Sequence, residues 1–320
     1  MKAKTSVFPF KSQYKPLFAG AAVLTLLFMA DYVQSENKSV KKNAPTIADL
    51  KYGPDKRQAV DIWLAKPKIP GKATPLCIYI HGGGFRGGDK SRIGYGTVKK
   101  FLNNGISFAS MNYRLIKNGK NAYPTPMYDC ARGIQVIRSK AAELNIDPNK
   151  IACYGGSAGA GISLWLAFHD DLAKPQSNDP VEKQSTRITA AGSMSGQSSY
   201  DMHTLNKWFG VKTLATHISL GGFYAMKPDE SIDSPRIKEL AKDASPINHL
   251  SKDDPPVYLV YKRKNLKVTS KTSPGVWVHH PVMGIKLQEA MRKAGVECSL
   301  SYPGKKDPKY KDITDFLIKK

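Results

Sequence analysis

The sequence predicts an α/β protein, a mostly parallel sheet flanked by helices, on three observations. Apolar runs of strand length alternate with stretches of helical period along residues 46–320, the mark of parallel strands joined by crossover helices. A Gly-x-Ser-x-Gly sequence, Gly155 to Gly159, falls between such a run and a helical stretch, and that context gives it meaning. Three consecutive glycines, Gly82, Gly83 and Gly84, follow an apolar run at residues 75–80, so a strand there ends in uncovered backbone.

The elements follow in order. Residues 58–65 read as an early strand, 75–80 as a buried one and 106–115 as the next. Cys130, Ile134, Ile137, Ala141 and Leu144 recur at spacings of four and three, one face of a helix, which Asp147-Pro148 closes. Residues 151–154 form a short strand, and the stretch after Ser157 is helical through Leu166 and Phe168. Residues 188–194 read as another strand. Residues 197–250 hold no clean period and contain Trp208, Phe209, two adjacent glycines and several prolines; they read as an irregular cap inserted over the sheet. A strand at 257–261 is followed by a helix marked by Met283, Leu287, Ala290, Met291 and Ala294 and ended by Gly295. A strand at 296–302 and a helix on Tyr310, Ile313 and Leu317 finish the domain.

The N-terminus reads differently. Lys2, Lys4, Lys11 and Lys15 precede an apolar run at residues 17–30, short of the roughly 20 residues a bilayer span needs. A basic head, a short apolar run and a polar continuation read as a signal peptide over residues 1–35, with 36–45 a lysine-rich linker. The expectation is a secreted or periplasmic protein with no stable membrane insertion after cleavage; an uncleaved anchor is the rival. The four cysteines read as buried free thiols, although Cys77 and Cys153, each four residues before a motif, could approach on neighbouring strands.

The net charge is +23, and the last 59 residues alone hold fourteen Lys and Arg against five Asp and Glu. In an exported chain this excess suits anionic partners such as acidic polysaccharide or a cell surface. No nucleic-acid recognition motif accompanies it, so nucleic acid is disfavoured.

Two motifs carry chemistry. In Gly155-Gly156-Ser157-Ala158-Gly159 the tight turn strains Ser157, and glycines at both offsets avoid the clash. The hydroxyl is thereby lifted above the sheet at a helix N-terminus, which favours developing negative charge. A phosphate cradle is the alternative for such a turn, but no Walker lysine follows. In His81-Gly82-Gly83-Gly84-Phe85 the backbone N–H groups are free to face an oxyanion, with Gly83, Gly84 and Ala158 as the donors. No cofactor is expected.

On these residues the chain resembles the α/β-hydrolase superfamily, in the esterase/lipase branch with a His-Gly-Gly-Gly loop, over residues 46–320. Gly88-Asp89-Lys90 and Val60-Asp61-Ile62 resemble secreted carbohydrate esterases that remove acetyl or feruloyl groups from plant polysaccharides. The resemblance implies an eight-stranded sheet, with Ser157 followed in chain order by an acid and a histidine. Here the chain departs from the pattern. The acid slot after the strand at 257–261 holds Asn265, the histidine slot after Tyr302-Pro303-Gly304 reads Lys305-Lys306-Asp307, and no histidine follows His280.

Two readings compete. In one, His279 or His280, preceding Pro281 in a loop at the carboxyl edge of the sheet, accepts the serine proton and Asp307 orients it. In the other, the elbow remains while the triad is lost, leaving a binding protein on a hydrolase scaffold, because serine without a base is a poor nucleophile. His203, His217 and His249 from the cap are further candidates for the base. His81 reads as a brace for the glycine loop and His169 as a surface residue. No metal set is apparent, since His279 and His280 are adjacent rather than helically spaced.

The expected activity is carboxylic-ester hydrolysis through a Ser157 acyl-enzyme; a prolyl-type peptidase would need the same missing histidine and a propeller domain. Lys262, Arg263, Lys264, Lys267 and Lys271 follow one strand and Lys305, Lys306 and Lys309 the next. Both loops are expected to rim the cleft and suit an acylated, anionic polysaccharide, with general surface basicity as the plain alternative.

Overall fold

The computed structural model describes residues 43–320, of which Pro45–Lys320 form one compact unit. The expected signal peptide, and the expected linker up to residue 42, lie outside the described residues. Among the described residues no helix is long and apolar enough to cross a membrane.

Eight strands form one sheet: β1 (Ile47–Lys51), β2 (Ala59–Trp63), β3 (Thr74–Ile80), β4 (Ser107–Met111), β5 (Ile146–Gly156), β6 (Ala190–Met194), β7 (Val257–Val260) and β8 (Cys298–Ser301). Their spatial order is β1-β2-β4-β3-β5-β6-β7-β8. The β1–β2 and β2–β4 pairings are antiparallel and the other five are parallel. The order reverses around β3 and β5, and ligands in open α/β sheets bind beyond the carboxyl ends of strands at such a switch point. Both motifs sit there.

Among the described residues beyond β1, nine α-helical segments accompany the sheet: α1 (Tyr95–Leu102), α2 (Thr125–Ser139), α3 (Ala158–Phe168), α4 (Met202–Phe209), α5 (Leu220–Phe223), α6 (Pro235–Ala244), α7 (Pro274–Trp277), α8 (Val282–Ala294) and α9 (Ile313–Lys319). Two apolar layers cover the two faces. The larger gathers Ile134, Ile162, Trp165, Leu287 and Met291, and the smaller gathers Phe101, Phe108, Tyr258 and Phe316. Burial on both faces explains why β3 and residues 151–154 of β5 read as continuous apolar runs; β5 itself begins at Ile146, so Asp147-Pro148 lies within the strand rather than at a helix stop.

Several elements differ from expectation. β1 was not foreseen: it is a five-residue edge strand, mostly exposed, with Asp49 and Lys51 breaking its apolar character. α1, carried by Tyr95, Val98, Phe101 and Leu102 at helical spacing, was also missed. α2 stops at Ser139, and Ala141 and Leu144 continue its buried face through turns. The segment 197–250 is more regular than expected, holding α4, α5 and α6 between β6 and β7. Its period is hidden because each helix is short and separately capped: Asp201 accepts from the His203 and Thr204 amides, and Ser234 from Ile237.

All four cysteines are free. Cys77 pairs with Ala152 while Cys153 pairs with Ile78. This one-residue offset turns the two thiols to opposite faces of the sheet, where they join different apolar layers.

Candidate active site

Ser157 stands between β5 and α3 with φ 51° and ψ −116°, a strained conformation held by its surroundings. Its N–H donates to the Met194 carbonyl at 2.9 Å, and its carbonyl accepts from Gly161 N–H at 3.0 Å. The flanking glycines are required by close approach. A Cβ on Gly159 would lie 2.1 Å from the Ile80 carbonyl oxygen, and one on Gly82 would lie 2.5 Å from that of Gly156. The serine turn and the glycine loop are wedged together without room for a methyl group.

The glycine loop is braced from below. His81 stacks on Tyr113 with ring centroids 4.4 Å apart. Its Nδ1 donates to the Gly82 carbonyl at 2.8 Å, leaving Nε2 to accept from Arg57 Nη2 at 2.9 Å. Burial pushes the His81 pKa down to about 4, so the ring is neutral. Arg57 also reaches the Gly88 carbonyl and the Asp89 carboxylate, and Lys90 pairs with Asp61 at 2.6 Å. The short matches Gly88-Asp89-Lys90 and Val60-Asp61-Ile62 thus hold the loop in shape. Gly83 has φ 118° and Gly84 φ 59°, the region that favours glycine. Among the described residues the amides of Gly83, Gly84 and Ala158 have no protein partner, and all three residues line one cavity with Ser157.

His279 completes a pair: its Nε2 lies 2.9 Å from Ser157 Oγ. Its Nδ1 faces the Gly275 carbonyl at 3.3 Å. A carbonyl can only accept, so the proton belongs on Nδ1 and the Nε2 lone pair faces the serine, the tautomer a general base requires. The ring is set by its loop. Gln197 Nε2 donates to the Val278 carbonyl at 2.7 Å and Trp277 Nε1 to the Ala215 carbonyl at 3.1 Å. Burial holds the His279 pKa below its usual value; the hydrogen bond to Gly275 opposes this, while Arg263 and His217 add to it. Among the described residues no carboxylate is paired with His279. Arg263 instead donates from Nη2 to the same Gly275 carbonyl at 3.1 Å.

Two expected participants are elsewhere. His280 turns away from Ser157: its Nε2 donates to the Leu266 carbonyl at 2.9 Å and its Nδ1 accepts from Val282 N–H at 3.2 Å. Both ring nitrogens are engaged, and the buried ring packs edge-on to Phe209, so it anchors the loop that presents His279. Asp307 accepts from the amides of Lys309 and Tyr310, both at 2.9 Å. It shapes the turn after β8 and pairs with neither histidine. Asn265 is exposed. Of the cap histidines, His203 pairs with Asp233 on the surface, and His217 lines the cavity with Nδ1 accepting from Ser219 N–H.

Two spaces flank the Ser157–His279 pair. One is a cavity of about 270 Å³ lined by Phe85, Tyr200, Leu205, Phe223 and Trp277 together with the glycine loop, the cap supplying much of its wall. The other is an open groove of about 690 Å³ lined by Tyr79, Arg92, Met194, Ser195, Lys262 and Arg263. The lysines after β8 do not reach it. Lys305 bonds Gln288 and Lys309 pairs with Glu297, which corrects the expectation that both basic loops rim the cleft. Apart from this site, His169, Asp243 and His249 bring ligand-type atoms within 4.8 Å of one another, a grouping from three separate elements that no sequence spacing reveals.

A serine on a strained strand–helix turn, faced by a histidine nitrogen and free amides, is the arrangement used for acyl transfer. The family model BD-FAE matches residues 60–277, more than half of the chain. The chain belongs to the BD-FAE family of α/β-hydrolase esterases. The match to this family ends two residues short of His279. Esterase LipQ of Mycobacterium tuberculosis is 28% identical over 240 residues, 73% of this chain and 52% of LipQ. An arylesterase of Saccharolobus solfataricus is 35% identical over 110 residues, 33% of this chain and 35% of the arylesterase. The chain spans about half the length of the first curated relatives it matches. Among solved structures, an acetyl ester-xyloside bifunctional hydrolase from Caldicellulosiruptor lactoaceticus superposes with a TM-score of 0.62 at 21% identity, covering 81% of this chain and 86% of that one. A truncated carbohydrate esterase from gut microbiota gives 0.63 at 21% identity, covering 85% and 95%. These likenesses confirm the fold, an eight-stranded, mostly parallel sheet flanked by helices.

Proposed function

We propose that this chain hydrolyses carboxylic esters through a Ser157 acyl-enzyme, with His279 as the base. The observation that carries this reading is the 2.9 Å contact between Ser157 Oγ and His279 Nε2. As Oγ bonds to the ester carbon, its proton passes to Nε2, and the oxyanion is received by the amides of Gly83, Gly84 and Ala158. Collapse breaks the bond to the alcohol oxygen, which takes the proton back from Nε2. Water then repeats the sequence on the acyl-enzyme. The acyl group occupies the apolar cavity, and the alcohol leaves by the groove.

An acylated polysaccharide fits this division, and the carbohydrate-esterase likeness supports it. The basic head and short apolar run of residues 1–35 support export of the chain as a secreted or periplasmic protein, without lasting membrane insertion. The missing carboxylate behind His279 favours a second reading, a slow or inactive binding protein on the same scaffold. One experiment separates them: treat the protein with a fluorophosphonate probe and an activated acyl ester. Labelling and turnover that vanish in Ser157→Ala support the enzyme, and a folded protein that neither labels nor turns over supports the binding module.

A further inference from the structure

The groove beside Ser157 and His279 gathers three cations from two separate segments: Arg92 from the turn after the glycine loop, and Lys262 and Arg263 from the segment after β7. No acidic residue lines it. Among the described residues none of the three forms an ion pair, whereas Lys90, Lys309 and Lys319 all find carboxylates. All three are exposed at the rim. The apolar cavity across the catalytic pair cannot accept a charge without losing its hydration, so a charged substrate would have to present its charge on the alcohol side.

We propose that this groove binds an anionic group, a ring carboxylate or sulfate, on the alcohol portion of the ester, held by Arg92, Lys262 and Arg263. The inference rests on the hydrolase reading and adds the substrate's charge to it. Arg263 is the pivotal group. One of its nitrogens is spent on the Gly275 carbonyl that also receives His279 Nδ1, and the rest of its fork is free for a bidentate oxyanion. An anion seated there cancels positive charge that disfavours the imidazolium formed during turnover. The substrate thereby supplies, at the groove, negative charge that in a full triad comes from a protein carboxylate.

The test uses the full chain and three esters with one acyl group: a neutral hexose, the corresponding uronate and the sulfated hexose. At low ionic strength the charged esters are expected to exceed the neutral one in kcat/KM by about tenfold, the equivalent of one charge-assisted contact. The preference should fall towards parity in salt on the order of 0.5 M, and it should collapse in an Arg92→Gln/Lys262→Gln double variant. Preference for only one charged ester assigns the anion's source. Parity at low salt, or a preference untouched by the double substitution, overturns the proposal. If the double variant does not fold, inhibition of the unaltered protein by free uronate against free hexose decides, and equal inhibition overturns it. Should no ester be turned over, the hydrolase reading fails, and calorimetry of free uronate against hexose still tests the groove.

Discussion

Arg263 and His279 meet at one backbone oxygen: the guanidinium Nη2 and the imidazole Nδ1 lie 3.1 Å and 3.3 Å from the Gly275 carbonyl. Where a triad carries a carboxylate, this chain has a neutral acceptor and a cation. The carbonyl fixes the tautomer but offers no full charge to an imidazolium, and the arginine opposes it.

The first consequence is in pH dependence. As the proposed base, His279 acts only when neutral, and burial holds its pKa below the usual value of 6.5. Activity is therefore retained below pH 6.5, and the acid limb of kcat/KM lies on that side. Removing the cation in Arg263→Gln raises the pKa of His279 and moves the limb to higher pH. A profile that stays in place would mean that burial alone sets the shift.

The wedge between the two motifs gives a second. In Gly82→Ala the new methyl would lie 2.5 Å from the Gly156 carbonyl oxygen and 3.4 Å from Ser157 Cβ. Backbone on both sides must move, at about 1–3 kcal/mol of stability. Turnover should fall by roughly 10²-fold or more as the oxyanion amides shift. A thermal melt with a matched ester assay checks both, and wild-type activity at a wild-type melting temperature would contradict the packing.

His81 makes acid stability measurable. Its folded pKa is about 4 against 6.5 when exposed. Between these values the unfolded chain binds a proton that the native ring refuses, so stability falls as pH drops from about 6.5 to about 4, by up to about 3 kcal/mol. Denaturant titrations across that range should be steeper in pH for the unaltered chain than for His81→Gln; identical slopes would remove His81 from the account.

The apolar cavity predicts acyl preference. With about 270 Å³ walled by Phe85, Tyr200, Leu205, Phe223 and Trp277, it leaves an acetyl group underpacked. Across a series of activated esters kcat/KM should rise from acetyl to larger apolar acyl groups, and Phe223→Ala should weaken the larger ones. A series that declines from acetyl onwards would contradict this assignment.

Much of this site is legible in the sequence because its key features are local. The Ser157 turn and the Gly83-Gly84 loop are each contiguous, and their glycines are demanded by backbone geometry that residue identity reports directly. β3 and residues 151–154 of β5 announce themselves through double-sided burial, whereas the short, mostly exposed edge strand β1 does not. The sequence favours His279 or His280 as the base, with His203, His217 and His249 as further candidates, and cannot choose between the adjacent pair, since neighbours in a loop face different directions and only Leu266 and Gly275, far from both motifs, set which ring turns inward. Asp307 was misassigned for a related reason. A carboxylate near the right strand end is indistinguishable in sequence from one that caps its own turn, as Asp307 does over Lys309 and Tyr310. Arg92 and the metal-type grouping at His169, Asp243 and His249 depend on contacts between distant segments.

The proposed acceptor of the Ser157 proton is His279 and not His280. Single turnover of an activated ester in His279→Ala and His280→Gln tests it most directly, with circular dichroism to confirm that each variant is folded. His279→Ala is expected to lose about 10³-fold or more, while His280→Gln, which retains a donor for the Leu266 carbonyl, loses less than about tenfold. Comparable activity in His279→Ala and the unaltered chain, or the larger loss in His280→Gln, would contradict it.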